Sequence, residues 1–342
     1  ALHAPRGRRR SRRPSPRRAP QSRRRSAGSR ARAARQGALI ALSISGVWAI
    51  TSIISAGPAR VLGGMRYNRI RIPLIAITMA VLAVGLIFQQ GKFPSLMQFG
   101  VLSVSGFIGI FIGDTLLYST IARLGPRRTT MLFSTHAPMT ALIGIGFGQV
   151  LSTQDWMGIG LVFAGVTVAI VYGKRKDQLH VWESVQGLMV VGVLLGLGAA
   201  LSQAIGTIIA NPVMDNPDLS TRPDPIVASA IRVSIAALAL WLIMLIPGPW
   251  TPTPAQSAAR LTPRLVLIIG LSGFLGIGLG MTLFLLALGM TDAALVATLS
   301  SMTPVAQLPL IWIVTRQRPA LLAWVGAVLA GLGTALLLYQ GA

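Results

Sequence analysis

The chain has 342 residues, of which 53% are hydrophobic and only 11% charged; soluble domains carry about 25% charged residues, so a water-soluble globular fold is excluded. The net charge of +23 would suggest a nucleic-acid partner, but fourteen of the 31 basic residues are arginines between Arg6 and Arg35. What remains, 17 basic against 8 acidic residues, is an ordinary membrane-protein excess, and no nucleic acid is expected. The absence of cysteine excludes disulfides, thiolate metal sites and cysteine nucleophiles, and three histidines leave little room for a metal centre, so neither cofactor nor metal is expected.

Residues 1–37 alternate Arg with Ser, Pro, Ala and Gly and contain no acidic residue. Such a composition cannot bury a core and is expected to be disordered. Nucleic-acid binding, an anionic-lipid tether and an organelle transit peptide are functional readings. A solvated tail is favoured, because no aromatic is interleaved for base stacking.

From Gly37 onward apolar segments of about 20 residues follow one another, each long enough to cross a bilayer as a helix. Ten are expected: 38–58, 70–90, 96–120, 129–150, 155–173, 186–210, 225–247, 264–288, 293–314 and 319–339. The breaks between them carry Pro, Gly and charge. Strands are excluded by segment length and by the lack of period-two alternation. The fold class is therefore an all-α polytopic membrane protein.

Ser105–Leu116 returns as Ser272–Leu283, identical at eight of twelve positions and 167 residues apart. Pro138 matches Pro304, and Gly160–Gly165 matches Gly326–Gly331, at a spacing of 166. More weakly, Arg71–Ala76 matches Arg232–Ala237. The ten transmembrane helices thus divide into a first five-helix repeat at 38–173, a connecting loop at 174–185 and a second repeat at 186–340. An odd number of crossings forces the second repeat to enter the membrane upside down. Inverted repeats build many secondary transporters, with the substrate site near the midplane between the halves.

The five-plus-five plan resembles the EamA family of the drug/metabolite transporter superfamily. The matching features are the Arg opening the second helix of each half, the small-residue third helix, the Pro inside the fourth and the Gly-rich fifth. The resemblance covers roughly 38–340 and implies a ten-helix transporter of small metabolites, often an exporter, in the bacterial cytoplasmic membrane. Members often carry Glu at the ends of the fourth and ninth helices; here only Gln149 and Gln317 stand nearby, so a role resting on that Glu does not transfer.

Loop charges place fourteen basic residues in the odd-numbered connections and only Lys92 and Arg222 in the even ones. By the positive-inside rule the odd connections are cytoplasmic. The Arg-rich tail and the family resemblance imply the opposite, so both orientations stay open. Gly109 with Gly113, and Gly276 with Gly280, form GxxxG pairs expected to let helix backbones approach closely.

Charged groups inside spans are costly and are functional candidates by default. Asp114 lies in the third helix and His136 in the fourth, at similar depth if the two helices are antiparallel. In the second half their places are taken by Met281 and Met302, as expected of contact partners that are kept or lost together. Protonation of Asp114, tuned by His136, would then couple transport to protons; the alternative is a static buried pair. Arg232 could hold a substrate carboxylate or phosphate, although snorkelling to the interface is the plainer expectation for Arg232 and Arg71. Trp48, Tyr118, Ser202, Gln203 and Gln307 are uncharged candidates for stacking on or orienting a substrate.

No GxSxG, Walker-type phosphate loop or HExxH occurs, so an enzyme or an ATP-driven pump is not expected. The expected function is secondary transport of small organic metabolites or drugs by alternating access, with protons as a candidate coupling ion. The expected partners are a small-molecule substrate and the lipid bilayer, and the state is monomer or homodimer. A membrane enzyme acting on a lipid would need clustered carboxylates near one interface, which the scattered acidic residues do not offer. A non-transporting receptor or scaffold would lack a central polar cavity.

Overall fold

In the computed structural model, residues 21–146, 152–172, 184–216, 221–246, 258–291 and 293–338 are described, and every element among them is helical. The first half runs α1 (Gln21–Leu62), α2 (Gly64–Gln90), α3 (Leu96–Gly106), a π-helical segment (Phe107–Ile112), α4 (Gly113–Leu124), α5 (Pro126–Phe133), α6 (His136–Ile145) and α7 (Thr153–Val171). The second half runs α8 (Met189–Met214), α9 (Pro225–Leu242), α10 (Pro263–Gly273), a second π-helical segment (Phe274–Met281), α11 (Thr282–Leu288), α12 (Ala293–Ser300), α13 (Thr303–Thr315) and α14 (Leu321–Leu338). A short 3-10 turn, Ile243–Leu245, extends α9.

Without water in the bilayer core, backbone groups must be satisfied within each segment, which is why a chain this apolar resolves into helices. Among the described residues, seven helical stretches are long and apolar enough to cross a membrane: Arg32–Leu62, Gly64–Gln90, Leu96–Leu124, Met189–Met214, Pro225–Leu245, Pro263–Leu288 and Leu295–Thr315. Trp156–Ala169 and Leu321–Leu336 are shorter apolar helices. The segment expected at 129–150 is divided between α5 and α6.

That division has a local cause which recurs in the second half. Pro138 falls in the first turn of α6 and Pro304 in the first turn of α13. Each removes a backbone donor and crowds the preceding turn, so the chain breaks at Ser134–Thr135 and again at Ser301–Met302. The two π-helical segments fall at equivalent places as well, inside the duplicated twelve-residue stretch. One-residue connections at Gly63 (φ 75°) and Gly125 (φ 81°) reverse the chain between α1 and α2 and between α4 and α5. Only a residue without Cβ adopts that backbone freely.

The N-terminal expectation needs correction. α1 begins at Gln21, so 21–37 is helical rather than disordered, while 1–20 lie outside the described residues. Ala and Arg are strong helix formers, and extending an existing helix needs no new nucleation. Gln149 and most of the expected connection at 174–185 also lie outside the described residues.

The halves meet along α7 and α14, the most extensive helix–helix contact among the described residues. It is a contact of backbones: a Cβ built on Gly165 would stand 2.5 Å from Ala330 N and from Gly326 O, and one on Gly333 2.6 Å from Gly158 O. Dispersion between closely approaching backbones replaces the hydrophobic drive that lipid cannot supply. Gly160, five residues earlier on the same helix, has nothing within 4 Å of the place a methyl group would take. Gly165→Ala should therefore destabilise the folded protein by about 1–3 kcal/mol, whereas Gly160→Ala should be neutral or slightly stabilising through helix propensity. Thermal unfolding of the two purified variants in one detergent checks the difference.

Candidate functional site

Arg71 is the eighth residue of α2 and Arg232 the eighth residue of α9. Each guanidinium therefore enters its helix about 10 Å from the N-terminal end, and in an inverted repeat those ends lie on opposite faces. Contrary to the snorkelling expectation, both are buried, at 2% and 0% exposure. Each also crosses to the other half. A Cβ on Gly276 would stand 2.8 Å from Arg71 Nη2, and one on Gly109 3.0 Å from Arg232 Nη2. Both glycines lie within the π-helical segments, whose widened turn is often found at functional sites.

The two guanidinium groups differ in what they meet within their own half. Arg71 Nη1 donates to Asp114 Oδ2 at 2.8 Å and to Asn68 Oδ1 at 3.4 Å, and its Cζ sits 4.4 Å from the centre of the Tyr118 ring. Tyr67 completes this side, its ring 4.8 Å from that of Tyr118 and its hydroxyl bonded to Ser55 and Ser272. Arg232 meets Met281, the repeat counterpart of Asp114, and donates from Nη1 to its sulfur at 3.2 Å. A thioether is a weak acceptor, so Arg232 has no carboxylate of its own.

A cavity opens beside the Asp114–Arg71 pair, at the interface between the halves. α1 supplies Trp48, Thr51 and Ser52; α4 supplies Asp114, Leu117, Tyr118 and Ile121; and α5 supplies Thr129, Thr130 and Phe133. From the other half come Gln203 of α8, Gly276, Ile277 and Met281 of the π-helical segment, and Thr303 of α13. Its volume, about 60 Å³, holds a few waters but not a metabolite, so a solute can enter only if the halves move apart. Trp48 forms one wall: its Nε1 donates to Gly276 O at 3.3 Å, and its ring lies 5.8 Å from Phe284 and 5.9 Å from Phe133. No group of three His, Asp or Glu among the described residues could hold a metal ion.

Of the residues singled out from sequence, Trp48, Asp114, Tyr118 and Gln203 line this cavity. Gln307 stands just behind it, donating from Nε2 to Ser52 Oγ at 2.6 Å and accepting a hydrogen bond from Thr130. Arg232 stands behind Met281. Ser202 packs instead against Gly113, and Gly113 and Gly109 both face α8, while Gly280 faces Trp48. The Asp114–His136 pairing does not form. His136 is buried beside Phe133, ring centres 5.2 Å apart, and neither ring nitrogen has a hydrogen-bond partner in the described structure. The break before His136 ends the antiparallel register on which that pairing relied, and Arg71 reaches the carboxylate first, with a longer side chain and a fork of donors.

Arg71 is the candidate that sequence reasoning undervalued. Its match to Arg232 across the repeat, and the need of Asp114 for a cation, were the available signals. The hydroxyls of Thr51, Ser52, Thr130 and Thr303 carried none, because Ser and Thr in membrane helices commonly bond their own backbone carbonyls, as Thr51 does to Val47 O at 2.9 Å.

Comparison with known proteins bears on the family and the fold. The model of the EamA-like transporter family matches residues 35–171 and 190–339. The UDP-galactose transporter homolog 1 of Aspergillus fumigatus is 30% identical over 117 residues, which are 34% of this chain and 27% of that protein. The chain thus spans about a quarter of that relative's length. A protein known from its crystal structure shares the fold, with a TM-score of 0.61 over 88% of this chain and 96% of its own, at 15% identity.

Removing one member of a buried ion pair strands the other, at a cost of about 3–5 kcal/mol, whereas replacing both by apolar groups is often neutral. Arg71→Met should accordingly lower stability by that amount, and Arg71→Met combined with Asp114→Leu should restore most of it. A double-mutant cycle on thermal unfolding in detergent measures the coupling.

Proposed function

Because this chain belongs to the EamA-like transporter family, we propose that it is a secondary transporter of small organic solutes, working by alternating access between its two inverted halves. The observation that carries the reading is the central cavity, walled by both halves and by an intramembrane ion pair. In hydrocarbon such charges are retained at a cost and mark substrate or ion pathways.

The chemistry follows from the wall. Tyr118 and Trp48 offer aromatic faces, Gln203 and the hydroxyls of Ser52 and Thr130 offer polar contacts, and Asp114 holds Arg71 in place. A solute entering beside Arg71 competes with Asp114 for the guanidinium. The displaced carboxylate can then take up a proton, and its release re-forms the pair. Substrate binding and proton uptake are thereby linked at one pair of atoms, Arg71 Nη1 and Asp114 Oδ2, with no role for His136. Rocking of the halves uses the reciprocal contacts already described: Arg71 on Gly276, and Arg232 on Gly109.

Purified protein in liposomes, presented with a metabolite mixture with and without a pH gradient, tests the reading; accumulation of at least one small organic solute above protein-free vesicles is expected. Asp114→Asn, which can no longer ionise, should retain solute exchange but lose the acceleration by a pH gradient. An unchanged gradient dependence in that variant would sink proton coupling at Asp114.

A further inference from the structure

We infer that the central site takes a small organic anion with one net negative charge, a carboxylate, and that Arg232 together with Gln203 supplies the donors that select it. This rests on the transporter reading above and names the class of solute. The first observation is a charge balance. Among the described residues one carboxylate, Asp114, stands at the centre, paired with Arg71, while Arg232 donates to the Met281 sulfur, so two guanidinium groups stand against one carboxylate. One positive charge is left over. An uncompensated charge in a membrane interior is far more costly than a paired one, and a monoanionic solute is the partner that completes the balance while Asp114 is ionised, before it takes up a proton.

The second observation is a set of unpartnered donors on the two guanidinium groups and Gln203. Arg71 Nε, Arg232 Nε and Nη2, and Gln203 Nε2 are buried, and none has a hydrogen-bond partner in the described structure. All four are N–H donors. Arg232 is fully buried, and its Nη2 lies next to Gly109 in the first π-helical segment. Buried donors normally find acceptors, and an ionised carboxylate offers acceptors alone. A cationic or donor-rich solute would add to the surplus instead of relieving it.

The third observation is a route. Lys92 and Arg222 are the only basic residues in the even-numbered connections, and both line one recess of about 490 Å³ at that end of the molecule. Arg222 is held there by a hydrogen bond to Gly289 O. Gln98 and Asp224 share the recess, where the Asp224 carboxylate caps α9, accepting from Ile226 N at 2.8 Å, and leaves the two cations in excess of one acidic group among the lining residues. α9 starts at the floor of the recess, and Arg232 lies seven residues further in, about 10 Å along the helix. The other buried guanidinium groups, Arg127 and Arg128 on α5, donate to Ala169 O and Leu124 O, away from this line. Positive charge therefore runs from Lys92 and Arg222 at the recess to Arg232 behind Met281.

The test is thermal unfolding of the purified full chain in detergent with lactate, benzoate, inorganic phosphate, choline, tetraethylammonium and glucose, since a ligand that binds only the folded state raises the midpoint. Lactate or benzoate should stabilise the wild-type protein, and choline, tetraethylammonium and glucose should not. Arg232→Gln should weaken carboxylate binding by roughly ten- to a hundredfold, the worth of a charge-assisted hydrogen bond. If that variant does not fold, Arg232→Lys carries the test, retaining the preference for anions with weaker binding because the planar fork is lost. Gln203→Met should weaken it less. The inference is overturned if no carboxylate stabilises the wild type, if choline or phosphate does so in its place, or if the Arg232 variants bind carboxylates as the wild type does. Liposomes separate this from the parent reading: carboxylate stabilisation without carboxylate counterflow overturns transport alone, and uptake of a neutral or cationic solute without carboxylate stabilisation overturns the anion assignment alone.

Discussion

A charge inside hydrocarbon must be paired, hydrogen-bonded or neutralised, and the centre of this protein is arranged around that constraint. Asp114 sits in α4 with its side chain facing the central cavity, and Arg71 reaches across from α2 to meet it at 2.8 Å. Tyr118 lies against the guanidinium and Gly276 leaves room for it on the far side. Each of these neighbours can be understood as a condition for holding one ion pair between the helices.

The second half repeats the frame and withholds the counter-ion. Arg232 occupies the place of Arg71, Gly109 the place of Gly276, and Met281 the place of Asp114. Two guanidinium groups thus enter from opposite faces, each lodged over a glycine of the opposing half. Their charge compensation is unequal. A site that is nearly symmetric in shape and asymmetric in charge suits a cycle in which the halves exchange roles around one bound solute.

Close backbone approach is what makes that frame possible. Gly165 and Gly326 bring α7 and α14 together, and Gly109 and Gly276 admit a guanidinium where a methyl would stand 2.8–3.0 Å from it. The π-helical turns coincide with those last two glycines, and the helix breaks at Ser134–Thr135 and Ser301–Met302 coincide with Pro138 and Pro304. The irregularities of the backbone are duplicated along with the sequence, so they follow from local chemistry and not from chance packing.

The sequence by itself determined what depends on local or periodic chemistry. Span-length apolar runs fixed the helical class, since only helices and closed barrels satisfy a backbone in lipid. The duplicated stretch fixed the two-fold plan, and the rarity of intramembrane charge picked out Asp114 and Arg232. What only the tertiary structure decided is which group meets which. The partner of Asp114 is 43 residues away on α2 and not on the adjoining helix, because a proline break turned His136 away and a π-helical segment altered the facing of α4. The ordering of residues 21–37 likewise escaped a reading based on composition, since a segment that could not nucleate a helix alone continues one already formed. Side-chain partners across helices depend on rotation and depth, which a few degrees of twist decide and which no spacing along the chain records.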